Sequence, residues 1–106
     1  MIAGPGEKTF AERYAPDMTL PMSETAFVEI LNRSNLRHEL FADRRAGGLI
    51  PKPRHSSTIE LSKIQKCYQI YGDVDRVHRI GEMYRAYVDV DGRVVYVENV
   101  FAYTAP

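Results

Sequence analysis

"MYRAYVDVDGRVVYVENVF", residues 83–101, holds two runs of alternating apolar and polar residues on either side of Asp91-Gly92. Alternation with a period of two is the mark of a strand with one buried face, and Asp-Gly between two such runs is a favoured hairpin turn. A two-residue loop at Asp91-Gly92 predicts that Val90 faces Arg93, Val88 faces Val95, Ala86 faces Val97 and Tyr84 faces Asn99 on one side of the ribbon. The other side then pairs Asp89 with Val94, Tyr87 with Tyr96 and Arg85 with Glu98. The first set is apolar enough to be core. The second is polar and aromatic.

Upstream, Ser23 precedes "ETAFVEILNR", an N-cap followed by an acidic first turn, with Phe27, Ile30 and Leu31 on one stripe. Leu36 and Leu40 fall out of phase with that stripe, so the pattern predicts two short helices, 24–33 and 35–45, packed as a hairpin. "GGLIPKPRHSS" is loop-forming throughout. In "STIELSKIQKCYQIYG" the capping-box spacing of Ser57 and Glu60 and the helical spacing of Leu61, Ile64, Tyr68 and Tyr71 predict a helix over 58–66. Residues 67–71 suit helix or strand, and "DVDRVHRIG" reads as a short strand. Residues 1–22, rich in glycine and proline, read as an irregular N-terminal arm, a linker remnant, ahead of a single domain over 23–106. The expected class is α+β, with N-terminal helices packed on one face of a small, mainly antiparallel sheet ending in a β-hairpin.

The chain has 106 residues, 44% hydrophobic and 26% charged, the size and composition of one globular domain. It has no apolar run of membrane-spanning length and no secretory pattern at its start, so a cytoplasmic site of action without membrane contact is expected. The single cysteine, Cys67, leaves no internal disulfide. Net charge is zero, but residues 33–55 carry six basic side chains (Arg33, Arg37, Arg44, Arg45, Lys52, Arg54) against Glu39 and Asp43. A local excess of that kind can hold a phosphate backbone in a neutral protein, because counterion release depends on local contacts.

Arg85 has two readings. With Glu98 opposite, it is half of a cross-strand charge pair worth ~0.2–1 kcal/mol. With Tyr87, Tyr96 and Glu98 it is also a polar patch on a rigid sheet, centred on a fork-shaped cation that fits a phosphate. His78 and Arg79 come just before this strand, and His55 lies in the loop beside Arg54. These residue types suit RNA cleavage by attack of the 2′-hydroxyl on the adjacent phosphorus. Histidine titrates in the range needed for either proton role, Glu98 is a second candidate base, and arginine holds the developing charge. Tyrosine faces stack unpaired bases. No glycine-rich phosphate loop, GxSxG or HExxH is present, and the three histidines have no metal-ligand spacing, so neither metal nor cofactor is expected.

The tyrosine-arginine stretch "YRAY" (Tyr84–Tyr87), the following "VDVDGRVVYVENVF" and the preceding "KCYQIY" resemble the C-terminal part of the RelE-type microbial RNase toxins, within the barnase–colicin–RelE group. The resemblance covers about 40 residues. It implies helices packed on an antiparallel sheet, an RNA substrate and an endoribonuclease activity used in toxin–antitoxin systems or bacterial competition. It also implies Arg85 as the phosphate-contacting arginine, His78 or Arg79 as a second catalytic residue, and a cognate antitoxin or immunity protein as partner. Such a domain acts in the cytoplasm and is often delivered as part of a secreted effector. On this reading Arg85, His78, His55, Tyr87, Glu98 and Arg79 are the catalytic candidates, and Arg44, Arg45, Lys52, Arg54 and Tyr96 the RNA-binding ones. The alternative from another class is a non-enzymatic protein-binding module, such as an immunity protein, an antitoxin or a phage-encoded inhibitor.

Overall fold

The computed structural model describes residues 9–55, 58–75, 77 and 79–104. It is an α+β protein with two helices, α1 (Phe10–Tyr14) and α2 (Glu24–Arg33). Its five strands are β1 (Met22–Ser23), β2 (Arg37–Asp43), β3 (Ile64–Asp75), β4 (Ile80–Asp89) and β5 (Arg93–Thr104). The sheet has the order β1-β5-β4-β3-β2, and every pairing is antiparallel. β2 to β5 therefore form a meander, with the two-residue β1 closing the far edge.

One sheet face carries the main core. Ile70, Tyr84, Ala86, Val88 and Val94 pack against Phe10, Phe27, Ile30 and Leu31 from the helices. Within the arm expected to be irregular, residues 10–14 form the helix α1. Thr9 and Glu12 form a reciprocal capping box that starts α1. Phe10 then enters the core, 5.2 Å from the Tyr84 ring and 5.6 Å from Phe27. Apolar burial overrides the glycine and proline content here, and the T-x-x-E spacing was its signal.

The second expected helix, 35–45, is the strand β2. Its reason lies at the end of α2. Asn35 takes φ 55, its N–H reaches the Asn32 carbonyl, and Leu36 N–H reaches the Leu31 carbonyl at 2.9 Å. That is a Schellman motif with asparagine in the place usually held by glycine, sealed by contact between buried Leu31 and Leu36. The chain reverses there, and the out-of-phase leucines are those of a strand.

The helix expected over 58–66 is also absent: a 3-10 turn at Leu61–Lys63 leads straight into β3, which takes in residues 67–71. Tyr68 and Ile70 point to the helices, while Cys67 packs on the opposite face beside Tyr87. Aromatic and β-branched residues flanked by paired strands outweigh a coincidental helical spacing. The stretch "DVDRVHRIG" is no separate strand. Its first residues end β3 and Ile80 begins β4, with Asp75 paired to Ile80.

In the β4–β5 hairpin, Tyr84 pairs with Asn99, Arg85 with Glu98, Ala86 with Val97 and Tyr87 with Tyr96. Nearer the turn the expectation fails. Val88 pairs with Val94, and Val95 is an unpaired bulge residue. The turn is not type I′, because Gly92 (φ 78) takes a positive φ and Asp91 does not. It is the three-residue form ending in a left-handed glycine. The buried Asp89 carboxylate fixes it, accepting from Asp91 N, Arg93 N and the Arg93 guanidinium. The longer turn shifts register by one residue and the bulge restores it. Val95 is thereby moved to the face away from the helices, where it packs with Tyr87 and Ile64.

Candidate functional site

The sheet face opposite the helices carries a regular row of register partners across four strands: Glu39 on β2, Gln69 on β3, Arg85 on β4 and Glu98 on β5. Bulges bracket the row at Phe41 in β2 and at Val95 and Val100 in β5. Bulges re-aim side chains beside functional sites. Here the one in β2 brings the Phe41 ring to 5.2 Å from the Arg85 guanidinium carbon. Half of this face is roofed by the loop after β2, in which Ile50 and Ile59 pack on Ile64, Cys67, Tyr87, Val95 and Tyr96.

Glu98 holds that loop down. Its carboxylate is 4% exposed and accepts from Arg54 N at 2.9 and 3.1 Å and from His55 N at 3.1 Å. Three further contacts latch the same segment. Arg54 donates a guanidinium N–H to the Val100 carbonyl at 2.8 Å, His55 Nε2 lies 2.8 Å from the Asn99 carbonyl, and the Tyr87 hydroxyl donates to the Pro51 carbonyl. A carbonyl only accepts, so His55 Nε2 carries the proton, and the Nδ1 lone pair of the neutral ring is left available. Glu98 is thus an anchor of His55 and not an open carboxylate, which removes its place as a base.

The cross-strand charge pair is not formed. Arg85 lies opposite Glu98 in register, yet the ion pairs of the described residues join Arg13 to Glu82, Lys63 to Glu60, Lys66 to Glu24 and Arg93 to Asp89 and Asp91, and none includes Arg85. The Arg85 Nε atom is buried and has no hydrogen-bond partner among the described residues. Arg85 is half-buried, bonds the Tyr87 side chain and faces a carboxylate that has turned to backbone amides.

Cys67, Tyr87 and Tyr96 are the uncharged side chains around Arg85 and Glu98. Burial pushes the Cys67 thiol up to about 12, with the Arg85 cation acting in the opposite direction, so the thiol is inert at neutral pH. Burial likewise raises Tyr87 above the ordinary phenol value, Arg85 again opposing. Tyr96, whose ring centroid is 6.0 Å from that of Tyr87, is pushed up to about 12 by burial and by its hydrogen bond to Glu98. Both phenols stay protonated and serve as walls and donors.

Of the expected site residues, the structure gathers Arg85, Tyr87, Tyr96, Glu98, Arg54 and His55 around one patch, with Lys52 exposed on the same loop. It does not bring Arg79 there. Arg79 sits in the β3–β4 turn with φ 57, six residues along from Arg85, or ~20 Å of strand. His78 lies outside the described residues. Arg44 and Arg45 belong to a 3-10 turn past the end of β2, where Arg44 donates to the Leu61 carbonyl and Arg45 N–H to Asp43. Phe41, Gln69 and Tyr71 were missed. The alternation in "RHELFAD" and "KCYQIY" would have put them on the Arg85 face. Among the described residues no three His, Cys, Asp or Glu side chains gather as a metal cluster, and no helix is long and apolar enough to cross a membrane. Comparison with protein families, with curated proteins and with solved structures finds no match to this chain.

Proposed function

We propose that the chain is an endoribonuclease domain, a toxin of the RelE-like kind, that cleaves single-stranded RNA on the sheet face opposite its helices. The observation that carries this reading is Arg85, which is in no ion pair among the described residues and has a buried Nε without a hydrogen-bond partner there, opposite a Glu98 carboxylate that fastens the His55 backbone over the same face. Directly opposed side chains on an antiparallel pair start ~5 Å apart. Glu98, the register partner of Arg85, holds the backbone N–H of His55, and the His55 ring lies against the carbonyl of Asn99, the next residue of β5.

The roles follow from the chemistry. Arg85 binds the scissile phosphate and holds the charge that grows on its oxygens. The 2′-hydroxyl gives its proton to His55 Nδ1 as the 2′-oxygen forms a bond to phosphorus. The bond from phosphorus to the 5′-oxygen breaks, and that oxygen takes a proton from water. The products are a 2′,3′-cyclic phosphate and a free 5′-hydroxyl. Lys52 and Arg54, on the roofing loop, and Arg44 and Arg45, at the end of β2, contribute phosphate contacts along the strand. His78 and Arg79 have no part in this proposal.

The expected result is that purified protein cuts single-stranded RNA in the presence of a chelator and leaves DNA of the same sequence intact. Equal cutting of both, or of neither, removes the reading. The edge strand β2 favours a second one: Leu40 and Phe41 are 48% and 46% exposed on a strand whose outer side is unpaired, a surface that suits a protein partner adding a strand, such as an antitoxin or immunity protein.

A further inference from the structure

The proposed phosphate site has a neighbour on the same face that the cleavage chemistry does not use. The Arg37 guanidinium carbon lies 3.9 Å from the centroid of the Tyr71 ring, closer than any other cation–ring contact among the described residues. Tyr71 is fixed in that pose from its far end. Its hydroxyl donates to Glu39 Oε1 at 2.9 Å and accepts from Gln69 Nε2 at 2.8 Å. Glu39 is thereby engaged by Tyr71 and Gln69, and Arg37 is in none of the ion pairs of the described residues. Arg37 is exposed on the open edge of the sheet.

We propose that the Arg37–Tyr71 pair is a stacking platform for one unpaired nucleobase of a strand whose phosphate rests on Arg85. The spacing supports it. Gln69 pairs with Arg85, and Tyr71 is two residues further along the same face of β3, which makes Tyr71 and Arg85 diagonal neighbours ~7–8 Å apart. Arg37, opposite Tyr71 on β2, is one strand further out, ~12 Å from Arg85, so a phosphate at Arg85 and a base at Arg37 belong to the same short stretch of strand. Arginine planes and aromatic rings stack unpaired bases without regard to sequence, and a base held in a duplex cannot reach such a platform. The inference rests on the ribonuclease reading for its phosphate. It adds that the substrate is a flexible single strand and that binding responds to the bases as well as to the backbone.

The test uses the full chain and a 2′-O-methyl oligonucleotide, which cannot be cleaved, beside an abasic strand of the same length, with fluorescence anisotropy as the readout. Wild type binds the base-containing strand more tightly. Arg37→Lys keeps the charge but loses the plane, and is expected to weaken that strand about tenfold while leaving the abasic strand within about twofold. Tyr71→Ala removes the ring under the guanidinium and is expected to weaken the base-containing strand as Arg37→Lys does, again leaving the abasic strand within about twofold. Arg85→Ala weakens both strands alike. The platform is overturned if wild type binds the two strands equally, if Arg37→Lys weakens both or neither, or if Tyr71→Ala leaves binding of the base-containing strand unchanged. A protein that shows the expected binding pattern yet cuts no RNA sinks the cleavage reading and leaves the platform standing. Cleavage that is indifferent to Arg37→Lys does the reverse.

Discussion

If Arg85 holds the scissile phosphate, Arg85→Ala is expected to lower the RNA cleavage rate about a thousandfold, the loss typical when a preorganised donor to the developing charge is removed. The thermal midpoint should move by only a few degrees. The reason is in the contacts: Arg85 forms no ion pair with Glu98, so no buried carboxylate is orphaned by the change, and what is lost is a cation–π contact with Phe41 worth ~0.5–1 kcal/mol and a polar contact with the Tyr87 hydroxyl. Arg85→Lys should restore little, because an ammonium cannot reproduce a planar two-pronged contact with phosphate. Had Arg85 been half of a cross-strand salt bridge, lysine would serve nearly as well. Rates from single-turnover cleavage and midpoints from thermal melts of the three proteins decide between these. A thousandfold loss matched by a large fall in midpoint would assign Arg85 to the fold instead.

Glu98→Ala acts in the opposite sense, with a large effect on stability and a secondary one on rate. A hydrogen bond to a charged acceptor is worth ~1.5–3 kcal/mol, and this carboxylate serves two backbone amides of one loop. The expected cost is about 3 kcal/mol, or a fall in midpoint of roughly 10–20 °C for a domain of this size. Because the loop roofs Ile64, Cys67 and Tyr87, its release also opens the buried thiol to alkylation and the loop itself to proteolysis. Cleavage falls too, since His55 loses its tether, and Glu98→Gln keeps part of both because its amide oxygen still accepts. A Glu98→Ala protein with an unchanged midpoint and an unreactive Cys67 would mean the latch has no energetic role.

The hairpin was legible because Asp-Gly and two alternating runs agree at every position from Tyr84 to Tyr87. The turn itself was not, since it depends on where Asp89 sends its carboxylate, and nothing local distinguishes a two-residue loop from a three-residue one with a compensating bulge. Asn35 hid the end of α2 by standing where a glycine would have announced it. Arg85 and Glu98 could be placed opposite one another from the pattern, but their separation into a cation beside Phe41 and Tyr87 and a loop anchor could not. That outcome is set by a segment more than forty residues away in sequence, Arg54 and His55, whose amides reach Glu98 only when the loop folds back over the sheet. The edge row of Arg37, Glu39 and Tyr71 was within reach of the sequence, since its alternation is plain once β2 is taken as a strand.

If this chain cuts RNA by turning the substrate's own 2′-hydroxyl against the neighbouring phosphate, a DNA strand carrying a single embedded ribonucleotide is the most direct substrate, with the ends of the products identified by mass. One cut is expected, at the linkage 3′ to that ribonucleotide, leaving a 2′,3′-cyclic phosphate on one fragment and a 5′-hydroxyl on the other. An intact strand, or cuts at deoxynucleotide linkages, would contradict it.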